Sequence, residues 1–252
     1  MCHADDSRAP EPPRRGPVGE HGPRELTSAD GNRFRAYSAF PREVGLAGVV
    51  ILPDVRGLHP YYEDLAVRFA EAGYRTVAID YFGRTAGVGA RDDAFEYRPH
   101  IEKTTPEGIA QDVRAAVEWL RTSANRPDLP TFTVGFCFGG ANSWRQSGDQ
   151  ANLAGCIGFY GGRPMQRAGT AIPKMKAPLL MLLAGDDKGT PPAEFEEFAG
   201  LVRARGIEVE SHTYPGAPHS FFDRAFAEHR EACSDSWKRI LDFADRLSSG
   251  AR

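Results

Sequence analysis

One hexapeptide limits the folds open to this chain. The apolar, β-prone run TFTV, Thr131 to Val134, leads straight into GFCFGG, Gly135 to Gly140. Small residues on both sides of Cys137 let the backbone turn from a strand into a helix within a few residues. In the pattern Gly-x-Cys-x-Gly, such a turn holds the central side chain out beyond the end of the strand, in a strained conformation. Cys137 is therefore a candidate nucleophile, and the first amide of the following helix, that of Phe138, can stabilise an oxyanion. The alternative is a small buried apolar residue, the usual fate of a free cysteine.

A thiol nucleophile needs a base, and the base needs a carboxylate to orient it. Downstream lies PLLMLLAGDDKGTPP, an apolar strand run ending in two acids, and then EVESHTYPGAPHSFFD, a β-rich run ending in a histidine within a Pro/Gly loop. Asp187 and His219 thus fall just past the C-terminal ends of expected strands, where open α/β sheets place their ligand sites. Asp187 is favoured over Asp186, which strand alternation points the other way; the alternative for Asp187 is a turn or helix N-cap residue before PPAEFEEF. His219 is favoured over His212, which lies inside an alternating strand pattern. The order nucleophile, acid, histidine is that of α/β-hydrolases.

Charge and composition exclude other classes. The net charge is −3, and the Lys and Arg residues are dispersed, which argues against a nucleic-acid surface. No apolar run approaches the roughly 18 residues that span a bilayer, and the N-terminus has no apolar signal segment. Four cysteines without a spacing pattern read as free thiols in a reducing cytoplasm, with Cys156 in the core. The histidines show no metal-ligand spacing, so neither a metal nor a cofactor is expected. The partner expected is a small molecule rather than nucleic acid or membrane, and the protein itself a monomer or homodimer.

Residues 1–24 are rich in Pro, Arg and Gly and read as a disordered tail; 25–252 read as one domain. NRFRAYSAF alternates as an early edge strand and AGVVILP reads as a buried one. A helix runs through 62–72, followed by the strand YRTVAIDYF and a long connection over 83–105. Pro106 opens an amphipathic helix. After the elbow come a strand around Ile157, the strand PLLMLLAG, a helix over 191–205, the strand EVESHTY and a last helix through SWKRILDFADRL. Strands separated by helices imply an α/β fold: a mostly parallel sheet of about seven or eight strands, covered on both faces.

The segments LPDVRGLHPYYEDLAVRFAEAGYRTVAIDYFGR, VGFCFGG, LLAGDDKGTPP and YPGAPHSFF resemble the dienelactone hydrolase (carboxymethylenebutenolidase) family, α/β-hydrolases with Cys in place of Ser. The resemblance covers most of residues 45–247. It implies a triad of Cys137, His219 and Asp187, and hydrolysis of an ester or lactone through a thioester acyl-enzyme. It also implies an oxyanion hole from the Phe138 and Val55 amides. An acid just before the second amide governs thiol ionisation in the family; Asp54 stands there, one methylene shorter than the usual Glu. Family members acting on anionic lactones hold the carboxylate with arginines, for which Arg98, Arg91 and Arg224 are candidates, with surface ion pairing as the alternative. Tyr81, with other aromatics near the strand ends, lines a pocket or packs the core. A thioesterase or cyclase acting on an acyl thioester, and a non-catalytic binding protein on the same scaffold, are the competing readings.

Overall fold

Alternate residues of a sheet strand face opposite ways, and here both faces are buried. Val49 and Ile51 enter one hydrophobic core and Val50 and Leu52 the other. The computed structural model describes residues 6–223 and 226–249. Its first elements are β1 (Val18–Thr27), β2 (Arg33–Pro41), β3 (Gly48–Leu52), α1 (Pro60–Glu71) and β4 (Arg75–Ile79). The short helices α2 (Gly83–Ala86) and α3 (Arg98–Ile101) interrupt the long connection after β4. Then come α4 (Pro106–Ser123), β5 (Thr131–Phe136), α5 (Phe138–Asp149), β6 (Gly155–Phe159) and α6 (Pro164–Ala168). The chain ends with β7 (Leu179–Ala184), α7 (Pro192–Arg203), β8 (Val209–Tyr214) and α8 (Arg230–Ser249).

The eight strands form one sheet in the order β1-β2-β4-β3-β5-β6-β7-β8. β1 pairs with β2, and β2 with β4, antiparallel; the other five pairs are parallel. Tyr61, Leu65 and Phe69 of α1 and Trp237 and Ile240 of α8 pack on one face. Val113 and Val117 of α4, Trp144 of α5 and Phe195 and Phe198 of α7 pack on the other. This is the mostly parallel, doubly covered sheet expected from the strand–helix alternation, and the α/β-hydrolase architecture that the resemblance implies.

Two local expectations fail. Residues 18–24 are not tail but most of the edge strand β1, which pairs along β2, so that β2 lies inside the sheet. The preceding residues are fixed too. The Ala9 amide donates to Asp64 Oδ2 at 2.8 Å, and Trp237 Nε1 donates to the Pro10 carbonyl at 3.0 Å. The Arg14 guanidinium bridges Asp245, the Tyr74 hydroxyl and the Ala72 carbonyl. Composition misled here because the segment needs no core of its own; it is held by polar groups that distant elements supply.

The register of the central strands sets the level at which their loops begin. Leu52 lies opposite Gly135, Gly135 opposite Gly158, and Phe159 opposite Leu182. The loops after β3, β5, β6 and β7 therefore leave the sheet together, along its C-terminal edge.

Candidate active site

Cys137 caps α5 with φ 54° and ψ −112°, a conformation that L-residues rarely adopt. Cross-strand bonding holds it there: its amide donates to the Phe159 carbonyl at 3.1 Å, and its own carbonyl accepts from the Gly140 amide at 3.0 Å. Gly139 makes the turn possible. A Cβ at that position would overlap the Leu52 and Pro53 carbonyl oxygens, so α5 starts in direct contact with the loop after β3. The Cys137 side chain is half-buried.

His219 stands on the loop after β8, and its Nδ1 lies 2.7 Å from Asp187 Oδ2 on the loop after β7. The Asp187 side chain is 8% exposed and also accepts from the Gly189 amide at 2.8 Å, which fixes the carboxylate plane. Asp186 is exposed and meets the His loop through its backbone, donating to the Ala217 carbonyl. His212 sits on β8, 3.8 Å from Asp235, away from this constellation. The Cys137 thiol is a second hydrogen-bond partner of the His219 ring. Burial works against the charged imidazole, but the hydrogen bonds and charges of Asp187 and Cys137 outweigh it and raise His219 to about 10. Burial likewise opposes charge on Asp187, and the His219 and Gly189 hydrogen bonds overcome it, leaving that carboxyl below its ordinary range. The ring is further confined by Tyr160, whose centroid lies 4.9 Å away.

Phe138 opens α5, and Val55 follows β3 in the loop whose start Gly139 abuts. Asp54, fully buried, accepts from the Arg56 amide at 2.8 Å, and its other oxygen lies 3.9 Å from Arg56 Nε. Arg56 in turn bonds Asp93 Oδ1 at 2.9 Å, and the buried His59 approaches the same oxygen at 3.3 Å. Asp54 thus belongs to an acid–base cluster that runs from the buried loop out to the exposed Asp93, a grouping that the sequence reading missed because Asp93 comes from the long connection.

The arginines fall out differently. Arg91 is buried; it bonds Asp80 at 2.9 Å and the Gly87 carbonyl at 2.6 Å, and stacks on Phe95. Those partners commit it to holding the connection. Arg98 is exposed at the start of α3, and Arg224 lies outside the described residues. Tyr81 is buried, donates to the Pro53 carbonyl at 2.9 Å and packs edge-on against Phe138, 5.4 Å between centroids. Beside that ring stands Arg167 of α6, its Cζ 5.0 Å from the Phe138 centroid. The segment GGRPMQRAG carries no motif that flags it. A cavity of about 600 Å³ around Arg14, Leu46, Arg126 and Asp245 lies at the opposite, N-terminal edge of the strands.

The model of the dienelactone hydrolase family matches residues 34–248. The chain belongs to that family. With the family goes the reaction class, hydrolysis of a carboxylic ester. Two similar curated proteins are both named "Putative carboxymethylenebutenolidase". The one from Saccharolobus solfataricus is 28% identical, over 87% of this chain and 96% of its own. That from Methylorubrum extorquens is 26% identical, over 82% of this chain and 75% of its own. Among solved structures, the dienelactone hydrolase-like promiscuous phosphotriesterase P91 from metagenomic libraries superimposes with a TM-score of 0.77. It is 21% identical and covers 91% of this chain and 99% of its own, a likeness that speaks for the fold. No helix among the described residues is long and apolar enough to cross a membrane.

Proposed function

We propose that this ester hydrolase works through Cys137 as nucleophile, with His219 as acid and base and Asp187 as its orienting carboxylate. The observation that carries the reading is the 2.7 Å contact between His219 and Asp187, in a ring that also hydrogen-bonds the thiol of a strained elbow residue. A ring raised to about 10 is protonated at neutral pH, which favours a thiolate–imidazolium resting pair. The thiolate adds to the substrate carbonyl carbon, and the negative charge moves to oxygen, facing the Phe138 and Val55 amides. The C–O bond to the leaving group then breaks, and the departing oxygen takes its proton from His219, leaving a thioester on Cys137. His219, now neutral, takes a proton from water; hydroxide adds to the thioester, the C–S bond breaks, and the acid and thiolate are released.

Because a thiolate leaves more readily than an alkoxide, the first adduct collapses back for ordinary esters and goes forward for activated ones. Enol lactones of the dienelactone type and activated esters are accordingly the substrates proposed. Turnover of a dienelactone and of p-nitrophenyl acetate, by the wild type and by Cys137→Ala, tests the reading. Intact-protein mass spectrometry of a rapidly quenched reaction should show the acyl adduct on the wild type alone. Undiminished turnover by Cys137→Ala would overturn the assignment.

A further inference from the structure

The turn that follows β3 leaves one amide over. The Gly57 amide donates to the Asp54 carbonyl at 3.3 Å, so Val55 and Arg56 are the two central residues of a β-turn. The Asp54 amide donates to the Tyr62 hydroxyl at 3.1 Å, the Arg56 amide to Asp54 Oδ1 at 2.8 Å and the Leu58 amide to Asp80 Oδ1 at 3.2 Å. Among the described residues, no acceptor takes the Val55 amide. A loop this deeply placed ordinarily pairs its backbone donors, and a donor held back from pairing is available to a ligand. The base of the turn is anchored in the core, where Tyr81 holds the Pro53 carbonyl and Tyr62 and Asp80 are buried. The crown has a different anchor. Arg56, beside Val55, donates from Nη1 to Asp93 Oδ1 at 2.9 Å, and the same oxygen lies 3.3 Å from His59 Nε2. His59 caps α1, its Nδ1 accepting from the Tyr61 amide, so the ring keeps its proton on Nε2 as a donor to Asp93.

We propose that Asp93 is a positioning residue: by binding Arg56 and His59 it fixes the turn that presents the Val55 amide to the developing oxyanion. This role rests on Cys137 as the reacting centre, and deepens that reading by making the oxyanion-binding loop depend on a carboxylate of the connection after β4. Arg56 stands between two acids. Asp93 draws it outward, and Asp54, with an oxygen 3.9 Å from Nε, draws it back into its own turn. Without Asp93 the inward pull is unopposed, and the crown that carries Val55 shifts with it. Small shifts matter at such a donor, which acts at about 2.7–3.1 Å from the oxyanion. A misplacement of about 1 Å costs on the order of 100-fold in rate. The Asp93 side chain is 37% exposed, so its removal opens no cavity in the core.

The test sets ester cleavage against alkylation. Turnover of p-nitrophenyl acetate builds negative charge on the carbonyl oxygen in both its steps. Iodoacetamide instead forms an S–C bond with Cys137 and expels iodide, with no oxyanion. Asp93→Ala should lower kcat by on the order of 10- to 100-fold, with KM and the alkylation rate at Cys137 within about twofold of wild type. Asp93→Asn, which keeps an oxygen acceptor without the charge, should fall between. Glu102→Gln, at another exposed acid of the same connection, should change neither rate. An unchanged kcat in Asp93→Ala overturns the proposal, and so does an equal fall in cleavage and alkylation, which would mark a general disturbance of the site. The backbone amide order parameter of Val55 gives a readout that needs no chemistry. It should drop from about 0.85 in the wild type to below about 0.6 in Asp93→Ala, with Ile51 and Phe138 unmoved. A Val55 amide as rigid in Asp93→Ala as in the wild type overturns the proposal. Inertness of the wild type toward every ester, with the Val55 drop still present in the variant, would instead count against the hydrolytic reading alone.

Discussion

Replacing Asp187 by Asn removes a charge while keeping the size of the side chain, and the structure says what that should do to His219. The ring is raised from an ordinary 6.5 to about 10 against the opposing effect of burial. At about 1.4 kcal/mol per pH unit, that gap represents roughly 5 kcal/mol, shared between Asp187 and Cys137. In Asp187→Asn the burial remains and the Asp187 share of the support is gone, so His219 should titrate well below 10. An amide can also offer Nδ2–H to the ring and hold it in the wrong tautomer, with an expected fall in turnover of 10³ to 10⁴, an order-of-magnitude figure. The assay is the His219 Cε1–H resonance followed against pH in both proteins, beside p-nitrophenyl acetate turnover.

Stability should track the same groups. A raised histidine contributes fully below its unfolded value of 6.5, and that contribution is lost as pH climbs through about 10. The lowered Asp187 contributes above its unfolded value of 3.8 and loses that contribution as pH falls through its folded one. The stability gap between wild type and Asp187→Asn should therefore be widest from about pH 5 to 6.5 and close steadily toward pH 10. A His219 still titrating near 10 in Asp187→Asn, or a gap that widens in alkali, would refute the coupling argued here.

Other expectations come from packing. Gly139→Ala should cost about 3 kcal/mol or more, since its Cβ would meet two backbone carbonyls that cannot yield; a chemical-denaturation midpoint unchanged from wild type would contradict this. Arg91→Met leaves Asp80 buried without its partner and should destabilise by about 3–5 kcal/mol, a loss that shrinks at acid pH as Asp80 takes up a proton. Deleting residues 1–16 removes the Arg14 bridge and the bonds to Asp64 and Trp237, for about 3 kcal/mol in all and a fall in Tm of roughly 6–12 °C. A calorimetric Tm identical to that of the full chain would return those residues to the status of a tail.

The features legible in the sequence were those that local chemistry dictates. The elbow announces itself because only glycine tolerates the contact that Gly139 makes, and the strand ends that carry Asp187 and His219 are marked by apolar runs stopping at Pro and Gly. Asp187 rather than Asp186 lies beside His219, the side to which strand alternation carried past β7 directs it. The features hidden from it depend on partners far away in the chain. Arg14 looks like a solvated tail cation until Asp245 is brought to it, 231 residues on. Arg91 has the right neighbourhood for a substrate arm but is claimed by Asp80.

Backbone strain draws the site more sharply than any one side chain does. Among the described residues, the non-glycine positions with positive φ are two asparagines, which adopt it readily, and Cys137, Tyr160, Arg163 and Ser220. These four lie on the loops after β5, β6 and β8. Each such residue costs about 1–3 kcal/mol, so four together would be untenable without restraint. The restraint for three of them is explicit: the Cys137 amide bonds to Phe159, the Tyr160 amide to Leu182, and the Arg163 amide to Thr190 Oγ1 at 3.0 Å. Each bond ties one loop to the neighbouring strand or loop, so no one of these turns can relax without disturbing the next. The stability of a sheet buried on both faces thereby maintains a rigid, strained rim. On that rim the thiol and the imidazole keep fixed distances from one another before any substrate arrives, the preorganisation that the proposed chemistry needs.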